Sequence, residues 1–214
     1  MQGTTAIVSA VISWFHAHKR AFSWREKTDA FAVLIAEVLL RKTDAPKVQE
    51  IYDKFIAKYP SPQKLAEADL EKLEADLKPL GMYKIKSRQL KCLAERLLSD
   101  FGGRVPASRE DLLKLPGVGQ YIANAVLCYS YGEDAPALDT NGIRVILRVF
   151  NFRSSTARPR TDKKLWELAE KLIPPRMGRD FNLALLDFAA QVCRAKNPMC
   201  STCPLHDTCL WPYK

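Results

Sequence analysis

Cys193, Cys200, Cys203 and Cys209 carry the strongest chemistry in the chain: four thiols spaced C-x6-C-x2-C-x5-C within seventeen residues. Loops this short can bring four sulfurs onto one metal centre, and either tetrahedral zinc or a cubane iron–sulfur cluster accepts such a set. Zinc sites usually pair two C-x2-C knuckles and this segment has one, which favours iron–sulfur and keeps zinc as the alternative. The other two cysteines, Cys92 and Cys128, sit in apolar helical patterns and are expected in the core.

Leu115-Pro116-Gly117-Val118-Gly119 lies between two expected helices. Two glycines one residue apart allow a tight hairpin whose N–H groups run into the next helix N-terminus, a backbone anion site suited to a phosphate. Helix-to-helix turns use glycine in any case, so the motif gains weight only from Leu-Pro before it and a helix on each side.

Two carboxylates stand in settings that invite chemistry. Glu37 is the one polar residue in AFAVLIAEVLL, a segment apolar nearly all round and therefore expected to be buried. Desolvation there would raise its pKa and suit it to general acid work, while a satisfied structural carboxylate explains the residue equally well. Asp139 follows Ala-Pro-Ala-Leu and precedes a helix expected from Asn141, where an N-cap is the plain local reading. Asp187, in LALLDFAA, is read as structural.

The elements that must position these groups are helices. No sustained period-two alternation occurs, while helical periodicity runs from end to end, so the fold class is all-α. Helices are expected at Ala30 to Leu40, Ala45 to Lys58, Ser87 to Phe101, Gln120 to Tyr131, Asn141 to Phe150, Lys163 to Ile173 and Phe181 to Val192. Shorter pieces fall in Pro62 to Ala75. Ser108, with Asp111 three residues on, opens another helix in the manner of a capping box. Ile7, Val11, Ile12 and Phe15 share one helical face near the start.

The chain has 214 residues, 47% of them hydrophobic, enough for one large domain or two small ones with a sizeable core. Lys and Arg exceed Asp and Glu by 33 to 24, a net charge of +9 that favours a polyanionic partner. Residues 81–164 hold +7 of it, from fifteen basic and eight acidic residues, whereas residues 43–80 are at −2. The apolar stretch Ala6 to Phe15 is too short to span a bilayer and lacks the basic flank of a signal peptide. An intracellular protein is expected, with no membrane partner and its six cysteines serving metal or core roles rather than disulfides.

Taken together, LPGVG, Asp139 twenty residues beyond it and the cysteine array resemble the helix-hairpin-helix DNA glycosylases of the endonuclease III superfamily, over about Val11 to Leu210. Glu37 in AEVLLRKT is similar to the matching segment of adenine and mismatch thymine glycosylases. Tyr121 stands where lyase-type members carry a Schiff-base lysine and adenine glycosylases a serine. LPGVGQYIANAVL, Arg41-Lys42-Thr43 and WELAEKLIP followed by RDFNLALLDFAA most resemble the mismatch thymine/uracil glycosylases. Adenine glycosylases usually continue into a domain that reads 8-oxoguanine, and the sequence stops five residues after Cys209.

The resemblance implies two helical domains, a six-helix domain over 21–133 with the hairpin, and 1–20 joined to 134–214 with a four-iron–four-sulfur cluster. It implies a monofunctional glycosylase, acting as a monomer on double-stranded DNA, that hydrolyses the N-glycosidic bond of a flipped thymine or uracil opposite guanine. Asp139 would stabilise the sugar cation, Glu37 would protonate or orient the base or position the water, and Tyr121 would line the pocket. Met82 beside Tyr83 would wedge into the gap, with a core methionine as the plain reading, and Arg41 and Lys42 would reach the opposite strand or nearby phosphates. Leu115, Gly117, Val118, Gly119 and Gln120 would hold the DNA backbone. The alternatives are an adenine glycosylase lacking its accessory domain and a metal-stapled DNA-binding module without catalysis.

Overall fold

Residues 2–212, which are those the computed structural model describes, hold eleven α-helices, four short 3-10 helices and no strand. In chain order they are α1 (Gln2–His18), α2 (Ala30–Leu40), α3 (Ala45–Lys58), α4 (Pro62–Ala66), α5 (Leu70–Leu77) and α6 (Tyr83–Phe101), then α7 (Arg109–Lys114), α8 (Gln120–Tyr131), α9 (Thr140–Val149), α10 (Lys163–Leu172) and α11 (Gly178–Gln191). None is long and apolar enough to cross a membrane. The chain divides into two compact units, one of Ala21–Tyr131 and one joining the residues up to Arg20 with those from Gly132 onward.

The first unit is built round α2, whose residues Phe31 to Leu39 are all buried. Asp29 starts that helix by accepting from the Ala32 N–H at 2.8 Å. α2 packs against α8 and α3, and α6 gathers α4 and α5. Tyr52 of α3 is wholly buried and donates to the Ala32 carbonyl at 2.9 Å. Burial first, and the nearby carboxylates of Asp53, Asp29 and Glu37 after it, push the Tyr52 hydroxyl pKa well up.

α6 begins at Tyr83, four residues before the expected start at Ser87. Its boundary is set by Met82, which takes a left-handed conformation (φ 51°) directly after Gly81. The other end closes as expected at Gly102, also left-handed, with the Gly103 N–H reaching back to Leu97 O at 2.8 Å. Leu90, Leu93, Ala94 and Leu97 form its buried face. Cys92 is off that face and exposed, contrary to expectation, whereas Cys128 of α8 is buried. The Ser108 cap is as expected: its Oγ accepts from Asp111 N at 3.1 Å and donates to the Asp111 carboxylate at 2.8 Å.

In the second unit α11 packs on α1 and α9. Asp187 of α11 is fully buried and is held by Arg20 twice, through Nε at 2.7 Å and the backbone N–H at 2.9 Å. That agrees with a structural role, the partner being a distant arginine. α11 starts at Gly178 rather than near Phe181, because Asp134 accepts from the Arg176 and Gly178 N–H groups at 2.7 and 2.9 Å. Asn182, wholly buried, accepts from Ala137 N and donates to Ala135 O, fixing the extended run that leads to Asp139.

Candidate functional site

The hairpin lies between α7 and α8. Leu115 and Val118 turn into the core while Gly117, Gly119 and Gln120 are exposed. Gly117 has φ +77°, and a Cβ there would stand 1.5 Å from Gln89 Nε2 and 2.8 Å from Arg41 Nη1. The left-handed backbone is what calls for glycine here, and a side chain would in addition push the Gln89 and Arg41 ends aside. Arg41 is exposed, and its Nη1 donates to the Gly117 carbonyl at 3.1 Å. This residue, expected to reach a DNA strand, also braces the turn.

Next to Arg41, Lys42 is exposed and left-handed (φ 53°). Thr43 Oγ1 donates to the carbonyls of Arg41 and Leu80, each at 3.4 Å, tying this corner to the turn before Met82. Met82 is 46% exposed, which removes the core reading. Ile85, 61% exposed and one turn further along, extends the same apolar edge. Tyr83 and Tyr121 are half-buried. Glu37 is 5% exposed on α2, as its apolar surroundings predicted.

Asp139, in the other unit, is half-buried and caps α9. Its Oδ1 accepts from the N–H groups of Asn141 and Gly142 at 2.8 and 2.7 Å, and its Oδ2 from Asn141 Nδ2 at 2.7 Å. Arg144 holds Asn141 in turn, with Nη1 2.9 Å from Asn141 Oδ1. The same guanidinium reaches Cys193 O at 3.0 Å and Ala189 O at 2.9 Å. The N-cap reading of Asp139 is thus correct and compatible with catalysis, since a cap fixes a carboxylate by donors alone.

Cys193, Cys200, Cys203 and Cys209 line one cavity together with Arg148 and Leu205. Burial, and to a smaller degree the other three thiols, push the Cys203 pKa up, while the Leu205 N–H, 3.4 Å from its Sγ, works against that. Arg148 lies 3.6 Å from Cys193 Sγ, bonds Arg194 O and Ala195 O, and covers the Trp211 ring at 4.1 Å. Among the described residues no three His, Cys, Asp or Glu side chains close on a single ion. Ligands about 2.3 Å from one zinc stand only about 3.8 Å apart, whereas a cubane takes one thiolate per iron and spreads them wider. Four thiols round a shared cavity, with an N–H directed at one sulfur, are a donor set that fits a thiolate-bound metal centre, four-iron–four-sulfur or zinc.

Lys86, Gln89, Asn141 and Arg144 went unnoticed in the sequence as site residues. Asn141 and Arg144, one helical turn apart just after Asp139, were the available signal. Nothing local marks Lys86 or Gln89.

Residues 35–171 match the family model of the HhH-GPD superfamily base excision DNA repair proteins. The chain is 44% identical to a thymine/uracil-DNA glycosylase of Pyrobaculum aerophilum, over 98% of this chain and 93% of that protein. A solved thermostable thymine-DNA glycosylase superposes with a TM-score of 0.93 at 38% identity, covering 98% of this chain and 96% of that one. A trapped endonuclease III–DNA covalent intermediate superposes with a TM-score of 0.82 at 28% identity, over 95% and 92%.

Proposed function

The chain belongs to the HhH-GPD superfamily of base excision DNA repair proteins and is a DNA N-glycosylase, and we propose that it releases thymine or uracil mispaired with guanine. The observation that carries the chemistry is Asp139, a carboxylate fixed by three donors. The target nucleotide leaves the stack, Met82 fills the gap, and Arg41 and Lys42 contact the estranged guanine or the phosphates beside it. Glu37 and Tyr121 receive the base. As the N-glycosidic bond breaks, its electron pair leaves with the base, which Glu37 protonates. Asp139 stabilises the cationic sugar, and water adds to C1′ and passes its proton to the Glu37 carboxylate left after the base was protonated.

The hairpin N–H groups at Gly117, Gly119 and Gln120 hold a backbone phosphate, while Leu115 and Val118 anchor the turn, the Val118 N–H donating to the Leu115 carbonyl at 3.1 Å. Cys193, Cys200, Cys203 and Cys209 would hold a four-iron–four-sulfur cluster that shapes its loop and takes no part in base release. Duplex DNA is the partner, and the enzyme works as a monomer inside the cell. The domain division we favour follows the two compact units, with the hairpin in one and the cysteines in the other.

Duplexes holding G·T, G·U, A·8-oxoguanine or an oxidised pyrimidine, split with and without alkali after incubation, test this. Release of T and U opposite G, with strand breaks only after alkali, is the expected result. Adenine release alone, breaks without alkali, or no release at all would each overturn the specificity, the monofunctional chemistry or the activity. Tyr121→Lys should yield a borohydride-trapped adduct that the wild type does not.

A further inference from the structure

We propose that Lys86 is a positioning residue that fixes the Arg41–Thr43 corner for DNA contact, an inference that rests on the glycosylase reading above. Lys86 is 4% exposed, yet among the described residues its ammonium bonds no carboxylate. It donates to Leu39 O and to Arg41 O, each at 2.8 Å. Leu39 lies in the last turn of α2, where carbonyls lack intrahelical partners and the negative end of the helix dipole favours a cation. Arg41 O is shared with Thr43 Oγ1. The Arg41 guanidinium continues to Gly117 O.

One buried cation therefore holds the peptide from which Arg41 springs, and Arg41 holds the hairpin. Lys42 between them is left-handed without being glycine, a conformation that persists only when its surroundings impose it. Burial, with Arg41's charge second, pushes the Lys86 pKa down to about 8, so the ammonium remains protonated at neutral pH and its bonds are charge-assisted. An apolar side chain would fill the space without that desolvation. What the ammonium adds is the two carbonyl contacts.

The test is a double-mutant cycle of Lys86→Met and Arg41→Ala on a G·U duplex, reading Kd, single-turnover release at saturating enzyme, and thermal midpoint. Lys86→Met should raise Kd about tenfold, and the double variant should bind within about twofold of Arg41→Ala alone, because the two residues act as one unit. Release at saturation should stay within about twofold, and Lys86→Arg should restore affinity. A wild-type Kd in Lys86→Met, or losses that simply add, would overturn the proposal. A purely structural role would lower the midpoint and show no coupling. If Lys86→Met does not fold, Thr43→Val takes its place in the cycle, with a smaller rise in Kd and the same coupling expected; additivity there would again overturn it. A wild-type chain that binds no duplex sinks the glycosylase reading as well, whereas normal wild-type binding with an indifferent Lys86→Met sinks this inference alone.

Discussion

The hairpin face and the Asp139 region fix polar groups by opposite means. On the hairpin face the fixed side chains are cations, Lys86 and Arg41, and what they hold are backbone carbonyls. Their charge is not cancelled by a carboxylate in any of these contacts, so the face stays positive. Around Asp139 the fixed group is an anion held by N–H donors, with Arg144 one step removed through Asn141. A positive face favours DNA in its ground state. A carboxylate does not, and it becomes useful only when the sugar turns cationic. The mechanism we propose assigns binding and catalysis to charges of opposite sign.

Four variants sharpen or break that contrast, in descending order of effect. Arg20→Met should cost about 4 kcal/mol of stability, because Asp187, unlike Asp139, is fully buried and depends on its arginine. Denaturant unfolding measures this, and base release well below the midpoint should persist. The second concerns pH. Lys86 has its folded pKa below the unfolded value, so its burial penalises the fold when protonated and that penalty fades as pH rises from about 8 to 10.5. Across that window wild type should gain about 3 kcal/mol relative to Lys86→Met. Equal pH profiles for the two proteins would contradict a desolvated ammonium.

Gly117→Ala comes third. A left-handed backbone and a Cβ set against Gln89 and Arg41 should weaken duplex binding by about 2 kcal/mol, roughly thirtyfold in Kd, with release at saturation little changed. Arg144→Met is the smallest. It frees Asn141 and so loosens Asp139, and single-turnover release should fall about tenfold at unchanged Kd.

Much of this was legible in the sequence. α2, α3 and α8 lie where periodicity puts them, and the Ser108 and Gly102 boundaries follow from local capping chemistry. The burial of Glu37 followed from its apolar neighbours. What was missed depends on distant partners or on backbone conformation. α11 starts early because Asp134 caps it from 44 residues away. α6 starts early because Met82 takes a left-handed turn that few non-glycine residues adopt. Lys86 reads as one more basic residue of the positively charged stretch 81–164, since the carbonyls that bury it come from α2 and the corner after it. Cys92 could have been placed correctly, because Leu90, Leu93, Ala94 and Leu97 already define the buried face without it.

The measurement that bears most directly on the division of charge compares wild type with Asp139→Asn on one G·U duplex, reading Kd and single-turnover release together. Asparagine caps a helix as well as aspartate does, so the fold should hold while the charge disappears. The account predicts a Kd that is unchanged or tighter and a release rate lower by about a hundredfold or more. Release at the wild-type rate, or a Kd that weakens in step with the rate, would contradict it.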